Sequence, residues 1–191
     1  DNISEIIDSK SNVICIISRI SKEKNLETML TIVKELIKHT DVDFKVKVAG
    51  RIVDPNYYNY LLNVIKKSNL ERYIEFYGEH KIKDIYREAK VLWNFSKGYF
   101  GIVNVEAMNF GVIPIVIPNQ ADTVINNRTG FIVSSIKDFV KKTILELTND
   151  ELRKFLSENA IAFSYNFSKD LFKSKFKSVV KKILKIKEHY H

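Results

Sequence analysis

The chain has little cysteine and lacks several motifs that carry common chemistry. Its one cysteine, Cys15, lies inside an apolar strand pattern, which excludes an internal disulfide framework and favours a reducing compartment. No apolar run approaches the roughly 20 residues that a membrane span needs, and no signal peptide opens the chain. The sequence also has no His/Cys cluster with zinc spacing, no phosphate-loop motif and no dinucleotide glycine fingerprint. These absences predict a cytoplasmic protein without the commonest metal and nucleotide motifs.

Positive charge is what the chain has in excess, since its 191 residues carry a formal net charge of +8, with 45% hydrophobic and 28% charged residues. This is the composition of a globular domain rather than of a disordered chain. Much of the excess lies after residue 168, where lysines alternate with apolar residues at helical spacing. Two interpretations stay open: the solvated face of a docked amphipathic helix, or a surface attracted to anionic lipid headgroups on the cytoplasmic face of a membrane. RNA binding has less support, because no RNA-reading motif accompanies the charge. The lysines are Lys169, Lys173, Lys175, Lys177, Lys181, Lys182, Lys185 and Lys187.

Apolar runs alternate with helical patterns, which predicts an α/β fold with a parallel sheet between helices. Short runs rich in valine and isoleucine are typical of strands covered on both faces. The predicted strands cover residues 13–18, 44–49, 73–77, 91–95, 112–117 and 130–133. The predicted helices cover residues 24–39, 56–69, 81–89, 101–110, 136–147, 149–163 and 168–187. We expect residues 1–11 to be a leftover linker and residues 12–191 to be one domain, because no repeat or long linker divides them.

The segment from Gly98 to Met108 combines a glycine turn with an apolar helical pattern that contains one carboxylate. The backbone N–H groups and the positive dipole end of such a helix start suit a phosphate or another anion. Glu106 is then able to accept two hydrogen bonds from a neighbouring diol, such as a ribose. Simpler interpretations stay open, in which Glu106 pairs with a lysine and Gly101 only allows the helix to pack closely on the sheet.

Candidate ligand-binding residues follow several of the predicted strands. In open parallel sheets, ligands bind beyond the carboxyl ends of the strands. Arg19 offers a planar fork that can hold a phosphate through two hydrogen bonds, and Lys24 offers a point charge. The alternative is that both are ordinary surface cations. Further candidates at these strand ends are Ser18, Gly50, Gly78, Ser96 and Pro118.

Taken in order, these pieces resemble the retaining GT-B glycosyltransferases of the GT4 type (glycosyl transferases group 1), in which "FG", a few apolar residues and "EAM" recur. The resemblance covers about residues 12–187 and implies a three-layer Rossmann-like domain of about six strands, the C-terminal donor-binding half of a GT-B fold. It implies that Arg19 and Lys24 hold the donor diphosphate and that Glu106 holds the ribose, which makes these three the predicted catalytic residues. The donor-binding residues that it implies are Ser18, Gly50, Gly78, Glu79, Ser96, Phe100, Gly101, Ile102 and Val103.

The resemblance also implies a reaction. A hexose of the mannose or glucose type is transferred, with retention, from a nucleotide-diphosphate sugar to a glycan or a lipid-linked acceptor, without a metal or another cofactor. The acceptor is expected to bind to an N-terminal domain that this chain does not include. Because Asp1 is not an initiator methionine, we expect the chain to be a piece of a longer protein and to be inactive alone.

One position departs from the family pattern. The family has another glutamate eight residues before the one matched by Glu106, and this chain has Gly98 there. By resemblance, the lost carboxylate contacts the transferred sugar, so its absence bears on turnover more than on nucleotide binding. The alternative function is a non-catalytic nucleotide-sugar binding module with a degenerate site.

Overall fold

Six short apolar segments form one parallel sheet in the computed structural model, which describes residues 3–96 and 101–188. The strands are β1 (Ser11–Ile17), β2 (Lys45–Ala49), β3 (Ile74–Tyr77), β4 (Ala89–Asn94), β5 (Ile113–Val116) and β6 (Phe131–Ile132). Their order is β3-β2-β1-β4-β5-β6, and every neighbouring pair is parallel. The predicted α/β class is therefore confirmed, and each predicted strand overlaps an observed one.

Helices cover both faces of this sheet. They are α1 (Ile3–Asp8), α2 (Glu27–His39), α3 (Pro55–Lys67), α4 (Ile82–Glu88), α5 (Ile102–Asn109), α6 (Ile136–Thr148), α7 (Asp150–Ser164) and α8 (Lys169–Glu188). Side chains of β1 alternate between two cores, because successive strand residues point to opposite faces. Ile14 and Ile16 belong to the larger core with α2, α3, α6 and α7, while Val13 and Cys15 belong to the smaller core with α4 and α5. The Rossmann-like three-layer architecture is thus confirmed.

The amino-terminal helix α1 was not among the predicted elements. Its Ile7 is fully buried, and the Ile7 carbonyl accepts a hydrogen bond of 2.9 Å from Nη1 of Arg153 on α7. Residues 3–8 therefore pack against the body of the domain, although residues 1–11 were expected to be a linker. The boundary between linker and domain stays a prediction.

Local sequence signals explain where several helices begin. The Asp54 side chain accepts a hydrogen bond of 2.9 Å from the Tyr57 N–H, and Pro55 occupies the first turn of α3, as the Asp-Pro pair predicts. Helix α2 begins three residues later than predicted, at Glu27, because residues 22–24 form a separate 3-10 turn. Asn25 ends that turn with φ of 51°, a left-handed conformation that asparagine tolerates well.

The order in which the chain adds strands to the sheet reverses between β1 and β4, and we call this point the sheet reversal. From β1 the chain first builds outward through β2 and β3, and then crosses to β4, β5 and β6 on the other side. In such sheets, a crevice opens at the carboxyl ends of the two strands beside the reversal, here β1 and β4. Within the described residues, no helix combines the length and apolarity that crossing a membrane requires.

Candidate functional site

The ends of β1 and β2 come together so closely that one position must be glycine. A Cβ atom on Gly50 would lie 1.9 Å from the Ser18 carbonyl oxygen, and Gly50 has φ of +155°. The Ser18 N–H donates to the Ala49 carbonyl oxygen at 3.0 Å, which extends the strand pairing to this point. Two of the predicted donor-binding residues, Ser18 and Gly50, are therefore in direct contact at the carboxyl edge of the sheet.

The loop after β1 reaches across to the end of β4 through Lys24. Its Nζ donates to Oγ of Ser96 at 3.3 Å, and both side chains are half-buried. The 3-10 turn that carries Lys24 is closed by backbone hydrogen bonds from Lys24 N to Ser21 O and from Asn25 N to Lys22 O. The structure thus brings together two predicted site residues that are 72 positions apart in the sequence.

Arg19 is paired within its own loop. Its Nη2 lies 2.6 Å from Oε1 of Glu23, and the two side chains are 54% and 59% exposed. An ion pair this exposed contributes little to stability, typically about 0–1 kcal/mol. An incoming anion with more charge than one carboxylate can therefore replace Glu23 as the partner of Arg19 at small cost.

Helix α5 begins beside this crevice. Gly101 precedes it with φ of −87° and ψ of 66°, and among residues 3–96 and 101–188 no side-chain cap is recorded at its first N–H groups. Ile102 is 60% exposed, whereas Val103 packs against the smaller core. The first turn of any helix leaves N–H groups without intrahelical acceptors, so this start suits an anion. Phe100 and Gly98 lie outside the described residues.

Glu106 is exposed on α5, about one turn inside the helix. It lines a groove of about 800 Å³ between α5 and the start of α8, together with Val105, Phe167 and Phe172. Within the described residues, no hydrogen bond or ion pair joins Glu106 to Arg19 or Lys24. The three predicted catalytic side chains are thus not in contact within the described residues, and their sharing one site stays a prediction.

Tyr86 on α4 lies next to Glu106, and it was not predicted from the sequence. The Tyr86 hydroxyl is buried and has no hydrogen-bond partner among the described residues. Burial, followed by the nearby Cys15 thiol and the Glu106 carboxylate, raises the pKa of this hydroxyl far above its usual range. It therefore stays a neutral hydrogen-bond donor on the side of α5 that carries Glu106.

Gly78 and Glu79 follow β3, at the same edge of the sheet but on the far side of β2. Both are exposed, and Glu79 begins a 3-10 turn. The sheet brings them near Gly50, whose N–H donates to the Tyr77 carbonyl oxygen at 3.2 Å. Their predicted role beside a nucleobase stays a prediction.

A buried amide on α5 is the residue that sequence reasoning missed most clearly. Asn104 is fully buried, its Nδ2 donates to Oγ1 of Thr123 at 2.8 Å, and its Oδ1 accepts from Nδ2 of Asn94 at 2.9 Å. The signal was present, because Asn104, Ala107 and Met108 share one helical face at i, i+3 and i+4 spacing, and all three are buried. A polar residue on a buried face needs hydrogen-bond partners.

Two cations, Arg19 and Lys24, lie in the loop after β1. Among residues 3–96 and 101–188, no group of three or more His, Cys, Asp or Glu side chains is arranged to hold a metal ion. Both cations follow β1 at the carboxyl edge of the sheet, and Lys24 reaches Ser96 just after β4. Such an arrangement can stabilise a polyanionic group and the negative charge that develops when that group departs.

Comparisons with known proteins identify the family of the sequence and proteins of similar fold. The profile described as "Glycosyl transferases group 1" matches residues 2–163. An uncharacterized glycosyltransferase of Methanocaldococcus jannaschii is 33% identical over 137 residues, which cover 67% of this chain and 38% of that protein. HepE of Anabaena, solved with UDP-glucose, has a TM-score of 0.79 at 16% identity, over 94% of this chain and 52% of HepE. The C-terminal domain of LpcC from Francisella tularensis has a TM-score of 0.72 at 20% identity, over 85% of this chain and 91% of that domain. The chain thus spans about half or less of the two longer proteins and nearly all of the isolated domain.

Proposed function

Because the chain belongs to the glycosyl transferases group 1 family, we propose that it is the donor-binding half of a retaining, metal-independent hexosyltransferase. In this proposal, it binds a nucleotide-diphosphate sugar, and the sugar is transferred to a glycan or a lipid-linked acceptor. The observation that carries the proposal is the contact between Lys24 and Ser96 across the sheet reversal. The contact supports the proposal because it holds a cation at the carboxyl edge of the sheet, the edge at which α/β folds of this topology bind ligands.

The two cations account for the diphosphate. Lys24 is held by a hydrogen bond to Ser96, while Arg19 has only the exposed Glu23 as an ion-pair partner among the described residues. A diphosphate carries more charge than Glu23 and matches the fork of Arg19, so we expect it to take over that guanidinium. Both cations then stabilise the negative charge that the leaving diphosphate acquires when the glycosidic bond breaks.

The start of α5 and Glu106 account for the rest of the nucleotide. The N–H groups of the first turn of α5 are expected to contact a phosphate oxygen, and Glu106 is expected to accept hydrogen bonds from the two ribose hydroxyls. HepE, which has a similar fold, was solved with UDP-glucose. That likeness supports a nucleotide sugar as the ligand of this chain.

A second domain across the crevice is part of the proposal. Helix α8 is 20 residues long and carries large apolar side chains that are exposed to solvent. Phe172 is 67% exposed and Phe176 is 60% exposed. Apolar side chains this exposed along one helix indicate a surface that is covered by something else. We propose an N-terminal acceptor-binding domain as the cover and a cytoplasmic location for the whole protein. An anionic membrane surface facing the lysines of α8 is the alternative, which sedimentation with and without anionic vesicles distinguishes.

Calorimetric titration of the chain with GDP, UDP and ADP tests donor binding. We expect saturable binding of one nucleotide and weaker binding by the Lys24→Ala and Glu106→Gln variants. Lys22→Ala is the matched control, because Lys22 is an exposed lysine of the same 3-10 turn. If Lys22→Ala lost as much nucleotide affinity as Lys24→Ala, the effect of Lys24 would be that of any nearby positive charge and not of a specific contact. Failure of all three nucleotides to bind would contradict the proposal.

A non-catalytic binding module is the second candidate, favoured by Gly98 at the position of the family's other glutamate. The two candidates differ in turnover, so the test is sugar transfer by the full-length protein and by its Gly98→Glu variant. A silent wild type with an active variant would favour the module. Efficient turnover by the wild type would rule the module out.

A further inference from the structure

A continuous row of hydrogen bonds leads from the interior of the domain to the Lys24 ammonium. At its inner end, Asn104 is fully buried between Thr123, which accepts its Nδ2 hydrogen at 2.8 Å, and Asn94, which donates to its Oδ1 at 2.9 Å. At its outer end, Oδ1 of Asn94 accepts the Ser96 backbone N–H at 3.0 Å. Oγ of Ser96 in turn accepts from Nζ of Lys24 at 3.3 Å.

The direction of these hydrogen bonds fixes how the Asn94 amide is oriented. An amide has donors on one side and an acceptor on the other. The Ser96 backbone N–H can only donate, so Oδ1 of Asn94 must face it, and the Asn94 NH₂ group then faces inward and donates to Oδ1 of Asn104. Turning the Asn94 amide over would set its NH₂ group against that N–H, so two donors would face each other and leave a polar group unsatisfied. The buried Asn104 accepts from this NH₂ group and so holds Asn94 in the orientation that anchors Ser96.

We infer that Asn104 is a positioning residue for the diphosphate-binding lysine, which it controls through Asn94 and Ser96. The inference rests on the proposed function for the ligand of Lys24 and adds a residue to that site. Asn104 is fully buried, so it acts on the ligand only through the side chains and backbone that it holds. Thr123 holds Asn104 from the interior side. The Thr123 hydroxyl accepts a hydrogen bond from Nδ2 of Asn104 and so connects Asn104 to the 3-10 turn at residues 118–123.

A matched set of variants separates this role from simple packing. Asn104→Leu keeps the approximate volume and removes both hydrogen bonds, while Thr123→Val removes one acceptor with little change of shape. Thr123→Ser retains the hydroxyl and is the conservative control. We expect the first two to bind the preferred nucleoside diphosphate about tenfold more weakly, in line with the loss of one buried hydrogen bond. Thr123→Ser is expected to bind with nearly wild-type affinity, because it keeps the hydroxyl. Thermal unfolding of each variant checks that it is folded.

Two comparisons give the inference its sharpest test. Affinity for the corresponding nucleoside, which lacks the diphosphate, is expected to stay unchanged in Asn104→Leu. In a Lys24→Ala background, Asn104→Leu is expected to cause no further loss of diphosphate affinity, because the group that it positions is gone. Equal losses for nucleoside and diphosphate, or full additivity with Lys24→Ala, would overturn the inference and leave Asn104 a structural residue.

Hydrogen exchange of the Ser96 amide gives a readout that needs no nucleotide. We expect faster exchange at Ser96 in Asn104→Leu, with the Ser18 amide unchanged, since Ser18 donates to the Ala49 backbone instead. Unchanged exchange at Ser96 would overturn the inference by itself. If the wild-type chain binds no nucleoside diphosphate, the proposed function fails, and the exchange result alone decides whether Asn104 positions Ser96.

Discussion

Glu146 is expected to make the stability of this domain fall as the pH rises toward neutrality. The side chain lies near the end of α6 with no exposed surface, and neither carboxylate oxygen has a hydrogen-bond partner among the described residues. Burial raises the pKa of Glu146 from 4.5 to about 7, while Arg153, Lys142 and Lys90 oppose the rise. These three cations have other partners: Arg153 and Lys90 bind Asp150, and Lys142 lies over the Phe131 ring.

The sign and size of the effect follow from proton linkage. Between pH 4.5 and about 7, the folded state keeps a proton on Glu146 that the unfolded state releases. The folded state therefore binds more protons, and the free energy of unfolding decreases as the pH rises through this window. Below pH 4.5, Glu146 is protonated in both states and costs the folded state nothing. Above about pH 7, the folded state bears the full cost of ionising this buried carboxyl group. At about 1.4 kcal/mol per pH unit, the total is about 3 kcal/mol.

Urea denaturation of wild type and Glu146→Gln at pH 4.5, 6 and 8 measures this effect. Glutamine keeps the size of the side chain but cannot ionise, so the variant is expected to gain stability relative to wild type as the pH rises and to level off above pH 7. Glu158→Gln makes the same chemical change at an exposed position of α7 and is expected to give a nearly constant difference. A constant difference for Glu146→Gln as well would refute the reasoning, because Glu146 would then be hydrated or paired.

Three further perturbations have outcomes that follow from the structure. Burial lowers the pKa of Lys10 to about 7 from 10.5, so the folded state binds fewer protons than the unfolded state between these values. Lys10→Met should therefore stabilise the domain most below pH 7 and lose this advantage by pH 10.5, which the same urea titrations measure. Gly50→Ala would put Cβ 1.9 Å from the Ser18 carbonyl oxygen, and we expect a loss of about 3 kcal/mol; a variant as stable as wild type would contradict this. Asp54→Ala should lower stability by about 1 kcal/mol through loss of the α3 cap, with Asp54→Ser as the control that retains it.

The sequence was sufficient for the strands and most helices because their patterns are strong. Central strands such as β1 consist of consecutive apolar residues, since both of their faces are covered. Helix α1 escaped detection because it has six residues and buries only Ile7, which is too short for a periodic pattern. Its docking depends on Arg153, nearly 150 positions away, and no local signal in the sequence reports such a contact.

The candidate site was predictable only in part, for a related reason. Several site residues follow predicted strands, and ligands of parallel sheets bind beyond the carboxyl ends of the strands. This rule predicted that Arg19, Lys24, Gly50 and Ser96 lie at one edge of the sheet. Asn104 and Tyr86 instead depend on partners brought in by other elements. The face that Asn104 shares with Ala107 and Met108 indicates burial, but only the packing of α5 against β4 and residues 118–123 identifies its hydrogen-bond partners.

Charged groups are exposed at the carboxyl edge of the sheet and buried at its amino edge. We expect the exposed groups to affect ligand binding and the buried groups to affect folding stability. At the carboxyl edge, Arg19 and Glu23 are more than half exposed, so they can change partners when an anion arrives at little energetic cost. At the amino edge, Lys10 and Lys90 stand beside the starts of β1 and β4 and are 9% exposed, and Glu146 has no exposure at all. Changing the protonation of such buried groups is costly and alters folding rather than ligand contacts. If this division holds, Glu146→Gln raises the unfolding free energy at pH 8 and leaves nucleotide affinity unchanged, since Glu146 lies at the edge of the sheet opposite the candidate site.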